Sequence, residues 1–388
     1  MNSEISKMNG VFINSIDIQD KILNNEIKDN LYIKKRAGFK KPTKIAYLGG
    51  SVSAGKFPWH MGLKEFLKTE EEKNFSIGGV GAFFSIFNLN NILNYNPDVV
   101  FVDFTVNEIC SKTYIILETF GRILSFLISR NIDCCLIHNY HISFQNNFND
   151  KKTPNTILIL EQLADQLNIP SINFAQYFGD LLRENKIKNE NFLSDSCHLN
   201  QEAKSYISFL YESQNIKNLI KKEEFDKQSF LMDYKDIHIS YHHPNALCET
   251  NKTDNIDPRP GLLIKKFLES KDFKINAYIW QENQEFTLEF YGRWLFIHDL
   301  MGPHCGKIFI RINNNTEFSV SRFDSYCSEH FRHHFVAIDC NENNHHKVSF
   351  KLLKEDQKIQ ILDKRQKTLK VPEDLNITIN YIFQICSM

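Results

Sequence analysis

A short apolar run that breaks off at two glycines and a serine constrains this chain more than any other stretch. It is Lys44-Ile-Ala-Tyr-Leu-Gly-Gly-Ser51-Val-Ser-Ala-Gly-Lys56. Ile45–Leu48 predicts a buried strand and Gly49-Gly50 a tight turn. Ser51 then stands at the strand's carboxyl end, the place where open parallel sheets bind their ligands. Two glycines before it allow a substrate to come close, and the N–H groups of a following helix face the same space. Ser51 is the candidate nucleophile.

The rest of the amino-terminal half supplies a sheet for that strand. Residues 1–43 read as a polar lead-in with one amphipathic helix near Ile16–Ile27. Helical spacing follows over 61–72, 114–130, 155–167 and 200–213, the last opened by Asn200 as N-cap. Between them lie strand-like runs at Val99–Phe104, Ile132–His138 and Ser171–Phe174. Such alternation predicts an α/β domain over 44–215, with a parallel sheet between two layers of helices. A charged stretch, Lys217–Lys227, marks a linker placed at 216–235. Over 236–388 helices give way to short β-branched and aromatic runs: Ile275–Trp280, Phe286–Tyr291, Trp294–His298, Lys307–Ile312, Phe318–Phe323, His334–Asp339, Lys347–Leu352 and Ile377–Phe383. Asn313-Asn314-Asn315 is placed as a hairpin turn, because Asn tolerates positive φ. The expectation is an all-β sandwich or jelly roll.

Composition narrows the partners. A formal net charge of −1 in 388 residues gives no global pull toward nucleic acid or an anionic membrane. No apolar run is long enough to span a bilayer, and the first ten residues carry no apolar signal core. Nine cysteines without framework spacing suit a reducing compartment, so a cytoplasmic location is expected.

Three segments decide what Ser51 is for. Ile77-Gly78-Gly79-Val80-Gly81 is a glycine-rich turn able to present a backbone N–H to an oxyanion. Asn107 offers a side-chain amide just after the strand Val99–Phe104. Asp195 and His198 stand three positions apart before a helix, a spacing that lets the carboxylate reach Nδ1 while Nε2 faces a serine hydroxyl. Each also has a plain structural reading: a turn serine, a punctuating glycine, a strand-end Asn, a capping Asp beside a solvated His.

Rival chemistries fit less of the chain. Gly50–Lys56 matches G-x-x-x-x-G-K, and Val99–Asp103 matches the apolar strand ending in aspartate that accompanies a P-loop. Phe57, however, stands where the Mg²⁺-binding hydroxyl belongs, and that reading leaves Asn107 and the Asp195/His198 pair unused. The histidine pairs 242–243, 333–334 and 345–346, with His304-Cys305, are poor chelates because neighbours on a strand point to opposite faces. No metal is expected. Cys134-Cys135 reads as buried strand, Trp59 as pocket lining or core, and Phe323–Arg332 as a strand connection or a sugar-binding edge.

Taken together, Gly50-Ser51 with Ser53, then Gly79, then Asn107, then Asp195-x-x-His198 resemble the four ordered sequence blocks of the SGNH (GDSL-like) hydrolases over residues 44–210. Ile77–Gly81 through Asn96–Glu108 looks most like the branch found with bacterial surface-polysaccharide genes. The resemblance implies a flavodoxin-like three-layer domain. It also implies Ser51 as nucleophile, His198 as base and Asp195 as its orienter, with an oxyanion hole of the Ser51 and Gly79 N–H groups and the Asn107 amide. The implied activity is an esterase acting on O-acyl, chiefly O-acetyl, groups of a carbohydrate through an acyl-enzyme. An O-acetyltransferase using a donor such as acetyl-CoA shares that intermediate, and otherwise no cofactor is expected. A catalytically silent glycan-binding module is the alternative of another class. Gly50, Thr105, Glu108 and Leu199 depart from the residues usual at those places.

Overall fold

The computed structural model describes residues 32–220, 240–242, 278–302, 305–322, 332–354, 361–362, 368–369 and 379–387. The chain divides into two compact units, Met1–Ile237 and His238–Met388.

In the first unit the strands are β1 (Ile33–Lys34), β2 (Lys44–Gly49), β3 (Glu71–Asn74), β4 (Val99–Asp103), β5 (Asp133–His138) and β6 (Ser171–Asn173). They form one sheet in the order β1-β6-β5-β4-β2-β3. All neighbours run parallel except β1, which lies antiparallel to β6. The helices are α1 (Ser51–Ala54), α2 (Leu63–Leu67), α3 (Leu89–Tyr95), α4 (Thr113–Ile128), α5 (Gln145–Asn149), α6 (Asn155–Gln166), α7 (Phe174–Arg183) and α8 (Ala203–Ser213). Every residue of β4 and β5 is buried, as strands covered on both faces must be. The expected α/β class is therefore found.

The packed unit reaches beyond 44–215 at both ends. Phe39 is fully buried and bridges Ile220, and Ile216 and Leu219 join the same core as Tyr47, Trp59 and Phe174. The amphipathic helix expected near Ile16–Ile27 lies outside the described residues. The helix expected over 61–72 is shorter. Lys68 turns left-handed (φ 56°) and closes it, after which Glu71–Asn74 pairs with β2 as an edge strand exposed along its length. A charged edge strand carries no apolar face for periodicity to detect.

The second unit is all antiparallel β, as expected. Its strands are β7 (Ser240–His242), β8 (Tyr278–Gln281), β9 (Glu285–Met301), β10 (Lys307–Ile312), β11 (Thr316–Ser321), β12 (Arg332–Leu353), β13 (Ile361–Leu362), β14 (Thr368–Leu369) and β15 (Ile379–Ser387). Seven build one sheet, β11-β10-β12-β9-β15-β7 with β8 against β15. Asn313 and Asn314 take positive φ in the β10–β11 hairpin, where the Asn run predicts it. The runs Phe286–Tyr291 and Trp294–His298 are one strand, and so are His334–Asp339 and Lys347–Leu352. Gly292 (φ 147°) faces Asn344, beside the irregularity between Asp339 and Asn344, and both strands continue past it. The segment Phe323–Arg332 lies outside the described residues apart from the start of β12.

Candidate active site

Parallel neighbours end on the same side, so the loops after β2, β4 and β5 emerge side by side at one sheet edge. Ser51 opens α1 directly after β2, half-buried, with Val52 and Ser53 buried behind it. The glycine-rich turn is stitched to the same strand: Phe75 N–H donates to Tyr47 O (2.8 Å) and Ile77 N–H to Gly49 O (3.0 Å). Gly79 takes a left-handed φ of 78°. Next to it, a methyl group built on Gly78 would stand 3.6 Å from Ser51 Cβ.

Asn107 comes up against Gly50, the residue before the serine. The loop after β4 turns back through Asn107 N–H donating to Phe104 O (2.9 Å). Its amide then lies over the α-carbon of Gly50, in the space a Cβ there would need. Gly50 in place of a larger residue is thereby explained: at position 50 the turn has room for backbone alone. Thr105 and Glu108 also acquire reasons. Thr105 Oγ1 donates to Ile137 O (3.0 Å) and tethers the loop to β5. Buried Glu108 accepts from Ala82 N–H (2.7 Å) and from Ser111 Oγ, tying this loop to the glycine-rich turn.

Asp195 and His198 meet as their spacing predicts, Nδ1 lying 2.7 Å from Asp195 Oδ2. The other carboxylate oxygen accepts the backbone N–H groups of Cys197 and His198, each at 2.9 Å, so the capping role and the orienting role coexist in one side chain. Ser194 N–H donates to His198 O (2.8 Å), and Ile142 N–H, in the loop after β5, donates to Ser196 O (2.9 Å). That last bond fixes the 195–198 turn to the sheet edge that carries Ser51 and Asn107. Among the described residues no hydrogen bond joins Ser51 Oγ to His198 Nε2. Such bonds are often long before substrate binds.

The charges are tuned accordingly. Partial burial alone would raise the Asp195 carboxyl, but the Cys197 and His198 amides and the imidazole hold it down at about 2. His198 is pushed up to about 9, first by the Cys197 sulfur beside Nδ1 and then by Asp195, against the cost of its own burial. The pair is built to carry a positive ring, which is what a base becomes when it takes a serine proton.

Beneath the nucleophile turn lies a network that sequence reasoning missed. Fully buried Ser53 donates to Asp103 Oδ2 (2.6 Å) and accepts from Trp59 Nε1 (2.7 Å). Asp103 O also accepts from Gly50 N–H (3.1 Å). Burial pushes the Asp103 carboxyl up to about 6, against its hydrogen bonds. Asp103 is thus committed to the core, not offered to a nucleotide's metal, and Trp59 is core as well.

At the level of sequence no protein-family model matches the chain, and neither does any curated protein. Structure is more informative. The chain is similar to the crystal structure of a two-domain esterase active on acetylated mannans, with TM-score 0.63 and 16% identity over 98% of this chain and 96% of that one. A structure of a two-domain esterase active on acetylated mannans, co-crystallized with mannopentaose, gives TM-score 0.62 and 17% identity over 97% and 95%. The chain has the fold of a two-domain esterase. Likeness on this two-domain esterase fold spans both units, the α/β one and the β one, and it agrees with the SGNH-like fold that the four blocks imply.

Proposed function

We propose that the protein is a serine-dependent carbohydrate esterase that removes O-acyl groups, O-acetyl foremost. The observation that carries this reading is the convergence on one sheet edge of Ser51, the Asn107 amide over Gly50, and the Asp195–His198 pair pinned through Ile142. The fold shared with an esterase active on acetylated mannans supports a glycan ester as substrate.

In this mechanism Ser51 Oγ attacks the ester carbonyl as its proton passes to His198 Nε2. The oxyanion is held by the Ser51 and Gly79 N–H groups and the Asn107 amide, each donor lowering the barrier by about 3 kcal/mol. Collapse of the intermediate expels the sugar oxygen, which takes the proton back from His198. Water, deprotonated by the same imidazole, then releases the acid and restores Ser51. Asp195 keeps the ring in the tautomer with Nδ1–H.

The test is acetate release from acetylated manno-oligosaccharides and from p-nitrophenyl acetate, with mass spectrometry of the sugar. Wild-type protein is expected to strip acetyl groups, and Ser51→Ala to fall to background while keeping the wild-type circular dichroism. A Ser51→Ala variant that deacetylates at the wild-type rate removes Ser51 from the mechanism.

A further inference from the structure

We infer that Asp195, Cys197 and His198 form a binding site for a divalent cation of zinc's type, and that its occupancy switches the esterase off. Binding follows from the geometry alone; the switch rests on the function proposed above. Cys197 Sγ lies 3.8 Å from His198 Nδ1, and Asp195 Oδ2 lies 2.7 Å from the same nitrogen. All three donor atoms fall within 4.8 Å of one another, and among the described residues this is the place where three such donors meet.

Bond lengths of about 2.3 Å to sulfur and about 2.0–2.1 Å to nitrogen or oxygen, at tetrahedral angles, put S and N about 3.6 Å apart and N and O about 3.3 Å apart. The sulfur and nitrogen already stand close to that spacing; the carboxylate must withdraw from the nitrogen by about half an ångström, and the sulfur and oxygen, within 4.8 Å of each other, must settle at about 3.5 Å. The ion takes the place of the proton now shared by Nδ1 and Asp195. Thiolate, imidazole and carboxylate are a mixed donor set that zinc accepts, and a fourth position stays open to water. Asp195 is exposed and His198 partly so, which leaves an entry path. The turn is held by the Ser194–His198 and Ile142–Ser196 backbone bonds, so the ligands share one pinned scaffold.

Occupancy and catalysis exclude each other. Binding releases the Cys197 thiol proton to solvent. In the neutral ring, the form able to act as base, the one proton sits on Nδ1; when the metal takes Nδ1 the ring's proton is carried on Nε2 instead. A ring protonated at Nε2 has no lone pair there to accept the Ser51 proton, so acylation stops. Nothing is oxidised or reduced, and a chelator reverses the change.

The experiment titrates chelator-stripped protein with Co²⁺ and follows thiolate-to-cobalt charge-transfer absorption. Zn²⁺ is then added to displace it, and ester hydrolysis is followed in parallel. A band saturating at one equivalent, displaced by Zn²⁺ and absent from Cys197→Ser, is expected; His198→Ala should weaken Co²⁺ binding about tenfold or more. Saturating Zn²⁺ should suppress the wild-type rate reversibly, and Cys197→Ser should need about tenfold more Zn²⁺ for the same fractional loss relative to its own metal-free rate. No band, or a band that persists in Cys197→Ser, overturns the site. A Zn²⁺-loaded protein that hydrolyses esters at full rate overturns the switch. If the band appears as expected but metal-free protein cleaves no ester, the proposed function fails while the site stands.

Discussion

The Asn107 amide occupies the space above the Gly50 α-carbon in which any other residue would place its Cβ. Gly50 has φ −86°, so an alanine meets no backbone strain there, and the group it must displace is the end of a side chain. Gly50→Ala is therefore expected to fold with under about 1 kcal/mol lost, yet to lower kcat/KM about 100-fold by moving one oxyanion donor. Because the effect runs through Asn107, adding Gly50→Ala to Asn107→Ala should cost little more than Asn107→Ala alone. Equal, additive losses in the double-mutant cycle would separate Gly50 from Asn107.

The chain hides some of its construction and displays the rest. Ser51, Asn107, Asp195 and His198 were legible because each follows or precedes an apolar segment at a fixed offset, and topology then brings those offsets to one edge. Glu71–Asn74 was not legible, since an exposed strand on a sheet's border has no buried face to give it a period of two. Asp103 and Glu161 were hidden for a different reason. A buried carboxylate is recognisable only through its partners, and Ser53 is 50 residues from Asp103 while Arg36 is 125 from Glu161. Cys197 is one of the two residues between Asp195 and His198, and only the fold of the turn sets its sulfur beside Nδ1.

Glu161 on α6 is a buried hub and sets the next expectation. It accepts from Arg36 (2.8 Å), pairs with Lys34 (2.8 Å) and lies 2.7 Å from buried His138 Nε2. Burial opposes its ionisation, but His138 and then Arg36 hold the carboxyl well below its usual range. Removing it leaves the nearly buried guanidinium with Asp165 (2.6 Å) as its carboxylate partner and takes away the partner of buried His138 Nε2, so Glu161→Ala should lose about 1–3 kcal/mol in urea unfolding. A loss under about 1 kcal/mol would show that the hub does not hold β1 against α6.

Asp103 gives stability a pH dependence of predictable sign. Its carboxyl, ordinarily near 3.8, is raised to about 6 in the fold. Between those values the folded chain keeps a proton that the unfolded chain has lost, so this group's contribution falls as pH rises through the window. The span corresponds to about 3 kcal/mol. Carboxylates held low, such as Asp195 at about 2, act in the opposite sense at lower pH, so the clean observable is a difference between proteins. Asp103→Asn carries no titrating proton. Its stability relative to wild type should therefore improve by up to about 3 kcal/mol between pH 4 and pH 7 in urea unfolding. A pH-independent difference would mean that Asp103 titrates alike in the folded and unfolded chains. Ser53→Ala should deepen the effect, because its hydroxyl is the donor, at 2.6 Å, that favours the charged form; without it the carboxyl should hold its proton to higher pH.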